Sequence, residues 1–108
     1  MSEQTVQWQG ASGKSYKYWT YPINTTFKDA PGNYIYAKIS ASRKWQAVYI
    51  GQTVSLSQRL ASHEKEQAAI RHGATHIHAH LSGYDEQSRR DEEVDLIKGY
   101  RPPCNEQL

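Results

Sequence analysis

A chain of 108 residues holds one domain and not two, and at that size a single core forms without disulfides or a structural metal. A net charge of +2, from 13 Lys and Arg against 11 Asp and Glu, falls well short of the basic footprint of an autonomous tight nucleic-acid binder. One cysteine, Cys104, allows no internal disulfide, and no apolar stretch reads as a membrane span or secretory leader, so the expected setting is soluble and cytoplasmic, with no membrane partner.

Eight Tyr and three Trp in a chain only 37% hydrophobic mean that large rings carry much of the burial. Thr5-Val6-Gln7-Trp8 alternates, Gly10 to Gly13 supplies a turn, and residues 15–21 are rich in strand formers, which predicts an N-terminal hairpin ended by Pro22. Residues 23–31 read as a connector. Residues 33–39 and 45–50 predict a second hairpin around a polar loop at 40–44, closed by Gly51. Ser55 and Gln58 fit a capping box, with Leu56 and Leu60 as apolar positions of the helix that follows. Residues 64–72 continue as helix after a bend, with Gly73 as a C-cap. Residues 74–81 alternate strictly, with Ile77, Ala79 and Leu81 on one face and a half-exposed row of His76, His78 and His80 on the other. Ser82-Gly83 turns. Residues 85–98 predict a charged helix with Val94 and Ile97 as its apolar positions, stopped by Gly99 and Pro102-Pro103.

Several short segments fall in a telling order. Pro31-Gly32-Asn33-Tyr34 precedes Tyr49-Ile50-Gly51. Arg59 lies on the following helix and His63 four residues later. Glu93-Val94-Asp95-Leu96-Ile97 lies on the charged helix, and Arg101-Pro102-Pro103-Cys104-Asn105 ends the run. Together these resemble the GIY-YIG nuclease family, over residues 31–105. Asn33 departs from the family pattern, which has an apolar residue there, and the stretch between Tyr34 and Tyr49 is longer than usual. The resemblance implies a single domain over 1–108 of α+β type: a small antiparallel sheet flanked by helices, with the first hairpin as an addition that extends or covers it. It implies a metal-dependent endonuclease acting on DNA, with RNA as an alternative substrate. Tyr34, Tyr49, Arg59, His63 and Asn105 are its expected catalytic residues. Glu93 is the expected ligand of Mg²⁺, with Mn²⁺ as a substitute.

These residue types suit phosphodiester hydrolysis in their own right. The reaction needs an activated water and a counter-charge for the developing phosphorane. A carboxylate holds Mg²⁺, which takes few protein ligands. An arginine fork engages phosphate oxygens. A tyrosine near pKa 10 is a poor base without help, which Arg59, His63 and a metal are expected to give by favouring the phenolate, with His63 as a proton relay. On one helix, Arg59 and His63 would lie a turn apart on the same face.

Each residue also has a structural reading. Tyr34 and Tyr49 fit as strand aromatics, Arg59 and His63 as solvated helix residues, Glu93 as the partner of Arg89, and Asn105 as a loop residue. Glu92 is read as surface. Lys38, Arg43 and Lys44 flank the second hairpin as DNA-backbone contacts or as ordinary loop charges. The histidine row fits a phosphate-contacting face better than a zinc site, since no Cys or carboxylate completes a tetrahedral set nearby. Trp8, Trp19, Lys14 and Lys17 form either a binding surface of aromatics and cations or, as the favoured reading, rings that cover a sheet edge. The low net charge leaves room for a partner protein or homodimer that supplies DNA affinity. The alternative function is a non-catalytic nucleic-acid-binding or protein-interaction module on the same fold.

Overall fold

Strand formers dominate the first half of the chain, and every strand segment finds an antiparallel neighbour. The computed structural model describes residues 4–82 and 85–105. Its strands are β1 (Thr5–Gln9), β2 (Ser15–Pro22), β3 (Gly32–Ile39), β4 (Trp45–Thr53) and β5 (His76–Leu81). They form one sheet in the order β1-β2-β5-β3-β4. The helices are α1 (Leu56–Ala61), α2 (Glu66–Arg71) and α3 (Glu86–Tyr100). The architecture is α+β, as expected. The N-terminal hairpin joins the sheet: β2 pairs with β5 from Trp19 opposite Ala79 to Pro22 opposite His76.

Both faces of the sheet are covered, which the sequence did not reveal. Tyr34 and Tyr36 of β3 point to one face, where they pack with Leu56, Leu60 and Ala69 of α1 and α2. Ile35 and Ala37 point to the other, where Trp8, Tyr18, Ile50 and Leu96 close a second core under α3. Asp95 ties α3 to the first hairpin, accepting hydrogen bonds from the Ser12 backbone and hydroxyl and from Tyr16.

Three boundaries differ from expectation. β4 runs through Gly51 to Thr53, because β3 pairs with it as far as Gly32. The segment after Ser55 is two short helices, not one bent helix, and His63 lies between them. α3 runs through Gly99 to Tyr100, where Arg101 caps it in the left-handed region at φ 44°. Its buried apolar residue is Leu96, whereas Val94 is 48% exposed. The predicted Ser82-Gly83 turn lies in part outside the described residues.

The second core encloses His78, which is wholly buried. Its Nδ1 accepts from Trp8 Nε1 at 3.0 Å, and the Trp45 ring meets it edge-on at 4.5 Å. Burial, with some help from His76, lowers its pKa to about 4. The sign follows. Between about 4 and the ordinary 6.5 the unfolded chain binds a proton that the folded chain does not. Stability is therefore intact above 6.5 and falls as pH drops toward 4, by up to ~3 kcal/mol from this group at about 1.36 kcal/mol per pKa unit. Thermal melts at pH 7 and pH 5 are expected to show this loss, and His78→Gln, which still accepts from Trp8, to shrink it. Equal pH slopes for the two proteins would refute the assignment.

Candidate active site

The β3–β4 register gathers the aromatic part of the site. Tyr34 lies opposite Gly51, and Tyr36 opposite Tyr49. A side chain at position 51 would collide with Tyr34, since a Cβ there would stand 2.5 Å from its hydroxyl oxygen. Glycine therefore lets the Tyr34 ring lie across β4. Gly51→Ala is expected to destabilise the fold by about 1–3 kcal/mol through overpacking, and to displace Tyr34. Urea denaturation checks this, and an unchanged midpoint would show that the ring moves freely.

Asn105 acts on the free edge of β4. Its Oδ1 accepts from Ile50 N and its Nδ2 donates to Ile50 O, both at 2.8 Å, while Cys104 N donates to Val48 O. The side-chain amide thus pairs with the strand as a backbone would, and it fixes the segment that carries Tyr49.

α1 begins where Ser55 Oγ accepts from Gln58 N, and it carries Arg59. The break after it turns His63 inward. His63 Nε2 lies 2.7 Å from the Tyr34 hydroxyl, and its Nδ1 accepts from Lys65 N at 2.9 Å. With Nδ1 an acceptor, the neutral ring carries its proton on Nε2 and donates it to Tyr34. The imidazole meets the rings of Tyr34, Tyr36 and Tyr49 edge-on, at 5.5, 5.5 and 5.0 Å. Tyr36 is engaged elsewhere, donating to Glu66.

Electrostatics modify the expectation for the tyrosines. Burial, then the neighbouring Tyr49, pushes Tyr34 above its usual range, while Arg59 pulls it down. Burial likewise raises Tyr49 against the pull of Arg59. Burial, then the charge of Arg59, lowers His63 to about 4, so it is neutral at pH 7. His63 therefore favours the phenolate by donating a hydrogen bond, not by a charge. Among the described residues Arg59 supplies the cation, and its fork is engaged by Glu64.

Glu93 reaches this cluster from α3. Its negative charge is felt by both Tyr34 and Tyr49. Burial raises its carboxyl, with Arg90 opposing. Among the described residues, the Glu93 carboxylate has no hydrogen bond or ion pair. The alternative partner, Arg89, is buried and donates to Gln52 Oε1 instead. A half-buried carboxylate without a protein partner among the described residues fits a Mg²⁺ ligand, because that ion keeps most of its shell as water. No group of three or more His, Cys, Asp or Glu among the described residues is arranged to hold a metal.

Other candidates stand apart. Lys38 lies about 13 Å along β3 from Tyr34, at ~3.3 Å per residue, and Arg43 and Lys44 lie beyond it in the loop. The histidine row is not a half-exposed face. His78 is core, and His80 Nε2 bonds Glu92 at 2.7 Å. Glu92 is a correction too: it is no surface residue but also accepts from Tyr18 at 2.6 Å, and it joins α3 to β2 and β5. Burial opposes a charge on His80, but Glu92 overcomes it and raises the ring above its ordinary value. Trp8 is core rather than an edge cover, while Lys17 stands 5.2 Å over the Trp19 ring. Two residues escaped the sequence reading, Glu64 and Glu92, because neither lies at a helical spacing from its partner. Comparison with protein-family models, curated proteins and solved structures finds no match for this chain.

Proposed function

We propose that this domain is a divalent-metal-dependent endonuclease that hydrolyses phosphodiester bonds in DNA. One observation carries the reading: Tyr34, Tyr49 and His63, from β3, β4 and the break after α1, pack together, and the charges of Arg59 on α1 and Glu93 on α3 both act on the two hydroxyls. It supports membership of the GIY-YIG nuclease family, whose motif order first suggested these residues.

Each side chain then has a role. Arg59 binds phosphate oxygens and stabilises charge as it builds on phosphorus. Tyr34 or Tyr49, as the phenolate, accepts the proton of the attacking water, and His63 holds Tyr34 in place by donating Nε2–H to its oxygen. Asn105 keeps Tyr49 in register. Glu93 holds Mg²⁺ or Mn²⁺, which when bound polarises the phosphate and offsets its charge. With a net charge of only +2, a partner protein or a second copy would supply further DNA affinity.

A second reading draws on two observations. Both phenols are raised by burial, and the Arg59 fork is already filled by a carboxylate, as suits a non-catalytic binding module. Incubating the pure protein with plasmid, branched DNA and RNA separates the two. Cleavage in Mg²⁺ or Mn²⁺ and none in EDTA is expected. Binding without cleavage of any substrate would establish the second reading.

A further inference from the structure

Arg59 presents both terminal nitrogens to Glu64, Nη1 to Oε2 at 2.7 Å and Nη2 to Oε1 at 2.9 Å. This two-point match is the geometry by which a guanidinium takes a phosphate. Glu64 is 64% exposed and Arg59 30%. Among the described residues the Glu64 carboxylate bonds no side chain but Arg59, and otherwise only its own backbone. It stands in the turn between α1 and α2, directly after His63, so a side-chain rotation frees it without disturbing a helix.

We infer that Glu64 is a resident stand-in for the substrate phosphate. It holds the Arg59 fork in its binding conformation until a phosphodiester displaces it. The inference rests on the nuclease reading, which makes Arg59 the phosphate ligand. Its consequence is selectivity. A ligand that displaces a two-oxygen carboxylate must itself offer two anionic oxygens, as a phosphodiester does and a neutral hydroxyl or lone carbonyl does not. The cost is modest, because an ion pair this exposed is only weakly stabilising.

The test is fluorescence anisotropy of a labelled DNA duplex, in EDTA at fixed low salt, with five proteins beside the wild type's cleavage assay. These are wild type, Glu64→Gln, Arg59→Ala, the Arg59→Ala/Glu64→Gln double variant, and Glu86→Gln. Glu86 pairs with Arg90 on the exposed side of α3, so its variant controls for net charge. Glu64→Gln is expected to bind roughly two- to fivefold tighter than Glu86→Gln. The gain should vanish in the Arg59→Ala background, because Glu64 acts through that fork. Equal affinities for the Glu64 and Glu86 variants would overturn the inference. So would a gain of the same size without Arg59, which would make Glu64 a simple repulsive charge. A wild type that cleaves while Glu64→Gln gains nothing removes only this inference. Absence of both binding and cleavage in every protein removes the nuclease reading and this inference with it.

Discussion

Glu93→Gln is expected to abolish cleavage while making the protein more stable. The two effects have one cause, a half-buried carboxylate whose burial disfavours its charge and which has no hydrogen-bond or ion-pair partner among the described residues. A carboxyl whose folded pKa is raised favours the fold only below its unfolded value, and that contribution is lost as pH rises through the folded pKa. At neutral pH the charged form therefore opposes folding, and the isosteric neutral amide removes the opposition. The same change removes the proposed anionic ligand for Mg²⁺. Thermal melts should show a higher Tm for Glu93→Gln than for wild type. Added Mg²⁺ should raise the wild-type Tm and leave the variant's unchanged, because only a state that binds the ion is stabilised by it. A variant that melts lower, or that responds to Mg²⁺ as wild type does, would remove Glu93 from the metal role.

Tyr34→Phe and Tyr49→Phe are each expected to lower the cleavage rate by at least ~10²-fold, the low end of general acid–base effects. Phe keeps the rings that pack against His63, so both variants should retain the fold. The two losses should differ in kind. Tyr34 is 1% exposed and held by His63, so Tyr34→Phe and His63→Ala should be strongly non-additive. Tyr49 is half-buried, and its variant should add to His63→Ala. Because burial raises both phenols, wild-type activity should climb from neutral into alkaline pH as a base becomes available. The rise should flatten in whichever variant lacks that base. A rise of equal slope in both variants, with rates near wild type, would reduce both tyrosines to packing residues.

The strands were legible because Tyr, Trp, Val and Ile announce themselves by alternation, and the turns by Gly10 to Gly13 and the polar 40–44 loop. The approach of Tyr34, Tyr49, Arg59 and His63 followed from motif spacing, although the expected reason was wrong. Arg59 and His63 meet because the chain breaks after Ala61, not because they share a helical face, and no Gly or Pro marks that break. What remained hidden was buried polarity. His78 and Glu92 read as exposed, and Arg89 as a partner of Glu93, yet each is covered and bonded elsewhere, to Trp8, to Tyr18 and His80, and to Gln52. α3 carries few apolar residues, so its inner face is marked by these polar partners, which no hydrophobic period reveals. Asn105 was expected as a catalytic or a loop residue, but a side-chain amide completing a strand edge depends on pairing 55 residues away.

The most direct measurement is single-turnover cleavage of supercoiled plasmid in Mg²⁺ and in EDTA, by wild type and by Glu93→Gln prepared identically. Nicked or linear DNA is expected from wild type in Mg²⁺ alone, and none from the variant in either buffer. Equal cleavage by the two proteins, or uncut plasmid in every lane, would contradict a metal-dependent nuclease site built on Glu93 and the paired tyrosines.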